Sequence, residues 1–573
     1  MTWKIGGEAG FGIMSAGQTF SRILSRAGYY INEINDYPSL IRGGHNVISV
    51  TFSDQPIHAS WQPVDILVAL NRETIDFHIR ELTPNALVIF DGVEYQIDKT
   101  KYPSQIHFLS VPLKKIAISV GAGMLMRNTV ALGATLAAFG LPLEYLTDIL
   151  TAQFAKKGEQ VVAQNVNAAQ AGYDYVQKNS QSTKKLEIKE KPKNLVLTGA
   201  EAIGLGAIAG GVKFFAAYPM TPINGLLAYM AAKQEKGGFI YKQPEDEIAG
   251  INMAVGAGFT GVRSMVATAG GGFSLMVEGT GLAGMLETPV VIIMGMRPGP
   301  ATGLPTWTAQ ADLHFILNAA QGEFPRLVLA PGDPEEAFYL TAEALNLADR
   351  YQTPTFVLVD KALMETRYST PFLDYAKITI DRGKLLTEEE QNKMTDFARY
   401  QFSPDGISPR GIIGRKGGVF RGNSDEHDIH GYSNEDGENT KKMIEKRMKK
   451  LEEAENHIPD PSVYGNPDAE LTLVGWGSTK GPVLEAIREL QTTNYSLRTN
   501  YLHLNYINPF PKKFVSDYLS TRKRIVDIEG NHNGQMADLI RMKTGIEIKD
   551  KILKYDGRPF YPEEIINKLA KLA

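Results

Sequence analysis

Residues 289–296 read PVVIIMGM, without a charge or a polar side chain. A strand with one wet face alternates apolar and polar positions; this one does not. It therefore predicts a strand covered on both faces, as in a parallel sheet with helices on either side. ALVIFDG, RSMVATA and TFVLVD have the same character, and helical patterns lie between most such runs. The fold class predicted is α/β, with doubly wound sheets. At 573 residues the chain is too long for one core, so it is multidomain.

The pattern divides the chain into five stretches. Residues 1–180 form an α/β unit that opens with a short strand from Trp3 to Ile5. Gly6, Gly7, Gly10 and Gly12 then precede a helix with Ile13, Phe20 and Ile23 near one face. Strands alternating with helices here imply a parallel sheet. Residues 181–194, rich in Lys and Glu, read as a linker. Residues 195–374 form a second α/β unit whose strands begin with LVLTG and VKFFAAYP. Residues 375–465 are polar, Gly-rich and irregular, and end in TKKMIEKRMKKLEEAE. There Met443, Ile444, Met448 and Leu451 predict a solvated helix lying across a domain. Residues 466–573 close the chain as a third α/β unit, with LTLVGWGST, SLRTNYLHL and KRIVDIEGN as strands.

Composition excludes several function classes. The chain has no cysteine, so it offers no disulfide, no thiol nucleophile and no thiolate ligands for an iron–sulfur cluster. A net charge of −4 gives no bulk argument for nucleic acid or a membrane surface. The start, MTWKIGGEAG, lacks a signal-peptide pattern, and no apolar run is long enough to span a bilayer. The expected location is the cytoplasm. The acidic and histidine-bearing stretch SDEHDIHG reads as a solvated loop rather than a metal site.

In an open parallel sheet, ligands bind outside the carboxyl ends of the strands. The unusual residues of the second unit fall there: YPMTP, PEDEIAG, TAGGGFS and MRPGPATGLPT each follow a strand. Acidic residues at a helix start commonly do no more than offset its dipole. Triple glycine is compatible with tight packing alone, and an arginine at a strand end with a surface charge. What favours a site is that all four stretches converge on one edge of one sheet. Each also has a chemical use. Glu247 opens a helix whose apolar face includes Ile248, Ile251 and Val255. Gly270, Gly271 and Gly272 allow close backbone approach. Arg297 and Thr306 flank Pro and Gly turns, and Thr221 stands between two prolines.

Those stretches carry a resemblance. AAYPMTP resembles the Tyr-Pro-Ile-Thr-Pro motif in the α subunit of the 2-oxoacid:ferredoxin oxidoreductases, thiamine-diphosphate enzymes that oxidise 2-oxoacids to acyl-CoA. EDEIAGINMAVGAG, GFSLMVEGTGLAGMLETPVVI and RPGPATGLPT resemble its next three blocks. KIGGEAGFGI and YPSLIRGGHN resemble the family's γ unit, and the final unit resembles a transketolase C-terminal domain. The order fits a fusion in which γ precedes α. It makes 1–180 the γ domain, 195–374 the pyrimidine-binding domain and 466–573 the transketolase-like domain.

The resemblance implies roles. Glu247 holds the cofactor's ring nitrogen, with Gly270, Gly271 and Gly272 beside it, while Asp246 and Glu245 are weaker candidates. Thr221, Arg297, Thr306 and Tyr218 contact the 2-oxoacid. A separate β subunit carries Mg²⁺, the diphosphate site and a 4Fe–4S cluster, in accord with the missing cysteines. Ferredoxin takes the electrons and CoA the acyl group. Arg42, Gly43, Gly44 and His45 are candidates for CoA, or else they close a loop. Met220, Ile223, Asn224 and the Ala269–Gly272 stretch depart from the family pattern near the pocket, so the acid is open. The fused arrangement and the IGGEAG opening favour the 2-oxoglutarate type or a broad-specificity one, with pyruvate and branched-chain enzymes as alternatives. A scaffolding subunit without turnover is an alternative, and so is a nicotinamide-dependent dehydrogenase using the N-terminal glycines; the latter leaves the cluster in the middle unit unexplained.

Overall fold

The run at 289–296 forms the strand Val290–Met296, buried along its whole length. It pairs in parallel with Ser264–Ala269 on one side and Pro354–Asp360 on the other. In the computed structural model, residues 1–40, 43–121, 123–179, 184–190, 194–492 and 498–572 are described. Arg42, and residues 181–183 and 191–193 of the expected linker, lie outside them.

This strand lies within a seven-stranded sheet. The order is Tyr506–Asn508, Leu327–Leu329, Pro354–Asp360, Val290–Met296, Ser264–Ala269, Phe214–Ala217 and Ile240–Lys242. Only the first pair is antiparallel. A five-stranded sheet runs Ser462–Gly465, Thr499–Leu504, Leu471–Trp476, Arg524–Glu529, Asp550–Leu553, antiparallel only at its first pair. The two sheets share one core: Met294, Val328 and Phe356 pack in the same cluster as Val474, Trp476 and Leu502. Residues 198–365 and 373–560 accordingly make one compact unit.

The other unit comprises residues 1–197, 366–372 and 561–573. Its eight-stranded sheet runs His107–Ser110, Leu82–Phe90, Val64–Ala69, Thr2–Glu8, His45–Ser53, Tyr30–Asp36, Arg367–Pro371, Asn194–Thr198. The expectation of a parallel sheet is corrected here, because His45–Ser53 pairs antiparallel with both Thr2–Glu8 and Tyr30–Asp36. The connection from Asp36 to His45 is too short for a crossover helix, and a short connection imposes the antiparallel hand. The LVLTG strand, read as the start of the second unit, pairs in this sheet instead. Ile13, Phe20 and Ile23 bury one face of the helix Ile13–Arg26, as the sequence predicts.

Two readings of the 375–465 stretch are corrected. The helix Gly437–Glu455 buries Met443, Lys446, Arg447, Lys450 and Ala454, so charged side chains lie on its packed face. The reason is Glu287, fully buried, whose carboxylate meets Lys446 Nζ at 2.5 Å and Lys450 Nζ at 2.5 Å. The two ammonium groups hold Glu287 well below the ordinary carboxylate range against the cost of its burial. Burial, with a second ammonium beside it, pulls Lys450 down to about 7. The SDEHDIHG loop is not a free solvated loop: His427 is buried, packs on Tyr400 at 4.2 Å between ring centres, and Glu426 pairs with Arg447 at 2.5 Å. Among the described residues no group of three or more His, Cys, Asp or Glu side chains could hold a metal ion.

Candidate active site

Four neighbouring strands of the seven-stranded sheet, Ile240–Lys242, Phe214–Ala217, Ser264–Ala269 and Val290–Met296, run parallel and end on one edge. Each leads into one of the stretches singled out by sequence. Adjacency within the sheet, not along the chain, is what assembles them.

The loop after Phe214–Ala217 carries Tyr218, Thr221 and Asn224. Its Thr221–Pro222 bond is cis. Thr221 is half-buried. Its carbonyl oxygen accepts a hydrogen bond from Arg297 Nη1 at 2.9 Å, which joins the first and fourth loops. Arg297 is partly buried, and burial lowers its pKa. Among the described residues no carboxylate pairs with it, so its charge is unmatched. Tyr218 is exposed, and its hydroxyl makes no hydrogen bond among the described residues. Ile223, expected near the pocket, is fully buried and lies against Gly295 at the end of the neighbouring strand.

Thr306 is buried on a loop that folds back on itself, with Leu304 N donating to Pro298 O at 3.0 Å. The loop is anchored to the five-stranded sheet. The Arg558 guanidinium stacks 3.3 Å from the Trp307 ring centre, and Gln310 Nε2 donates to Trp476 O at 2.8 Å. A gripped backbone of this kind keeps Thr306 from following the loop's many glycines and prolines into alternative turns.

Glu247 begins the helix Glu247–Phe259. The task of capping falls to its neighbour: Asp246 Oδ1 accepts from Ala249 N at 2.8 Å. Glu247 is released from that duty and turns inward, 3% exposed. Its Oε1 is buried with no hydrogen-bond partner. Burial pushes its pKa up, and Asp246 adds to this. Ile248, expected on the apolar face, is exposed, while Ile251 and Val255 are buried.

The glycines explain how Glu247 fits. A Cβ at Gly272 would stand 2.1 Å from Thr268 Oγ1 and 2.4 Å from Glu247 Oε1, so only glycine leaves the carboxylate its place. A Cβ at Gly270 would meet Asp312 Oδ2 at 2.9 Å, whereas one at Gly271 would meet nothing nearer than 4.0 Å. Asp312 is a residue the sequence reading missed. It sits at the start of Leu313–Asn318, where an aspartate reads as a cap, yet it makes no capping bond. Burial pushes it up to about 6. Two desolvated carboxyls therefore lie against the first turn of the helix Gly270–Met285.

In the other unit, Gly43 and Gly44 have left-handed backbones, with φ of 75° and 77°. His45 turns inward: its Nε2 lies 2.9 Å from His78 Nε2, and His78 Nδ1 lies 3.0 Å from Glu81 Oε2. Burial, with His78 and Lys4 adding to it, pulls His45 down to about 4, so its ring is neutral.

The models of two families match this chain: pyruvate flavodoxin/ferredoxin oxidoreductase, thiamine-diphosphate-binding, over residues 205–449, and pyruvate ferredoxin/flavodoxin oxidoreductase over 2–175. The 2-oxoacid:ferredoxin oxidoreductase subunit alpha of a Sulfolobus species is 36% identical, over 100% of this chain and 97% of its own. The chain belongs to the 2-oxoacid:ferredoxin oxidoreductases. It is a fused α/γ subunit of that family. The 2-oxoglutarate:ferredoxin oxidoreductase of Magnetococcus marinus, solved with 2-oxoglutarate, coenzyme A and succinyl-CoA bound, superposes with a TM-score of 0.92. It is 30% identical and covers 100% of this chain and 99% of its own. The 2-oxoglutarate oxidoreductase subunit KorA of Mycobacterium tuberculosis is 29% identical over 98% of this chain and 90% of its own.

The oxidoreductase's own residues pass a simple test of fit to thiamine diphosphate. A carboxyl with an unpaired, buried oxygen and a raised pKa suits a ring nitrogen that can share its proton, and Glu247 supplies it in the matched domain. Among the described residues no helix is long and apolar enough to cross a membrane.

Proposed function

We propose that this subunit, joined to a β subunit that carries Mg²⁺, the diphosphate site and a 4Fe–4S cluster, oxidises 2-oxoglutarate with CoA to an acyl-CoA, CO₂ and reduced ferredoxin. The observation that carries the reading is the unpartnered Oε1 of buried Glu247. When bound, thiamine diphosphate supplies a thiazolium carbon that adds to the ketone and stabilises the charge left by loss of CO₂. The chain's part is to hold and move protons and to orient the acid.

Glu247 keeps or shares a proton with the pyrimidine ring, and burial, which raises its pKa, favours its protonated form. Arg297, half-buried and without a counter-charge among the described residues, attracts the substrate carboxylate while its grip on the Thr221 carbonyl fixes its direction. Thr221, with Thr306 and Tyr218, completes recognition of the acid. The absence of cysteine supports placing the cluster on a partner. Gly43 and Gly44, with left-handed backbones, give CoA a close backbone approach, Arg42 is a candidate for its phosphates from the sequence alone, and His45 contributes as a neutral ring rather than as a cation. The names of the Magnetococcus and Mycobacterium relatives support 2-oxoglutarate, and the cytoplasm is the location that such an enzyme would occupy.

The test is to purify the native complex and assay CoA-dependent ferredoxin or dye reduction with 2-oxoglutarate, pyruvate and branched-chain 2-oxoacids. The highest kcat/KM is expected for 2-oxoglutarate. Equal values across the panel would establish a broad 2-oxoacid enzyme instead.

A further inference from the structure

The Thr221 hydroxyl can donate one hydrogen bond and accept two. Asn224 is the first residue of the helix Asn224–Gly237, one position after the N-cap Ile223, whose side chain can cap nothing. Asn224 reaches back along the chain, and its Nδ2 donates to Thr221 Oγ1 at 3.2 Å. The Thr221 carbonyl is taken by Arg297 at 2.9 Å. Among the described residues nothing accepts the hydroxyl proton of Thr221. Asn224 thus fills one of the hydroxyl's two acceptor positions, which turns its proton away from Asn224, and the side-chain donor is left over. A 2-oxoacid offers only acceptors, on its carboxylate and its ketone. Of the three residues that depart from the family pattern around this threonine, Ile223 is buried away and Asn224 is the one bonded to it.

We propose that Asn224 is a positioning residue that aims the hydroxyl proton of Thr221 at an oxygen of the bound 2-oxoacid. This rests on the reading of Thr221 as a substrate contact. A hydroxyl that accepts a hydrogen bond is also a better donor, since bonds in a chain polarise one another. Asn224 acts through Thr221 and need not touch the acid.

The test uses the holoenzyme with its partner subunit and the variants N224A, N224D, T221V and T221V/N224D. Aspartate cannot donate, and it draws the threonine proton toward itself. N224D is expected to raise the KM for the 2-oxoacid about tenfold, and N224A about threefold, with kcat changed less than about twofold. The Kd of a non-reacting analogue such as oxamate, measured by calorimetry, should move in parallel. In the T221V background the effect of N224D should shrink to less than about twofold, because no hydroxyl proton is left to aim. An N224D enzyme indistinguishable from wild type would overturn the proposal. So would an N224D effect undiminished in T221V, which is the mark of simple repulsion of the substrate. If T221V itself leaves KM and Kd unchanged, the reading of Thr221 fails, independently of Asn224.

Discussion

The guanidinium of Arg297 reaches from the end of one strand to the backbone carbonyl of Thr221 at the end of another, 2.9 Å away. One side chain thereby ties two loops that are 76 residues apart in sequence. R297A should raise the KM for the 2-oxoacid by about tenfold to a hundredfold, the range for losing a charge-assisted contact. R297K should recover only part of this, because an ammonium cannot serve a carbonyl and a carboxylate in one plane. Steady-state kinetics of both variants check it, and an unchanged KM would remove Arg297 from the pocket.

E247Q keeps the shape of Glu247 and removes its proton chemistry. Turnover should fall by about a hundredfold or more, with assembly and thermal stability preserved. A near-normal rate would sink the proton role.

Gly272 and Gly271 offer a matched pair. G272A must displace Thr268 Oγ1 or Glu247 Oε1, at 2.1 and 2.4 Å from the new methyl, so activity should drop by about tenfold or more. G271A meets nothing nearer than 4.0 Å. It should fold normally and gain about 0.5–1 kcal/mol from better helix propensity. Measuring activity and Tm on both separates crowding of Glu247 from a general loss of helix.

Asp312 makes a pH-dependent prediction. Its carboxyl titrates at about 6 in the fold against an ordinary 3.8. Between those values the folded chain holds a proton that the unfolded chain has released. Stability contributed by this group therefore falls as pH rises through the window, and the whole penalty stands at neutral pH. D312N should raise neutral-pH stability by about 1–3 kcal/mol, and the gain should vanish below the ordinary aspartate range. Denaturant unfolding across pH reads it directly, and a pH-independent difference would refute it.

Glu287 tests the buried charge cluster. E287A strands Lys446 and Lys450 in the interior and should cost about 3–5 kcal/mol. Replacing all three, as E287L/K446M/K450M, should restore part of that, because neither ammonium is left stranded, while buried Arg399 keeps its bond to the backbone carbonyl at 287 but loses the carboxylate's charge. A mild E287A would mean that the lysines find water.

The strands and the four loops of the site could be read directly from the sequence, because doubly covered strands leave uninterrupted apolar runs and ligand loops leave Pro and Gly at their ends. What could not be read was the direction in which side chains turn. Glu247 and Ile248 exchange the burial their chemistry suggests, and only the neighbouring Asp246 cap explains why. Lys446 and Lys450 look solvated because their partner Glu287 lies more than 150 residues earlier. Asp312 looks like a cap, and only its approach to Gly270 reveals otherwise. The last two are long-range approaches that local pattern does not encode, and the first is a choice between adjacent carboxylates that local pattern leaves open.

The first unit recruits a strand from Arg367–Pro371 and a helix from Pro562–Leu572, long after the chain has left it. A gene fragment ending near residue 180 would encode Tyr30–Asp36 with one of its edges bare. An open edge invites another strand. Anyone dividing this polypeptide for expression would do better to splice the two late segments back in than to cut at the obvious polar gap.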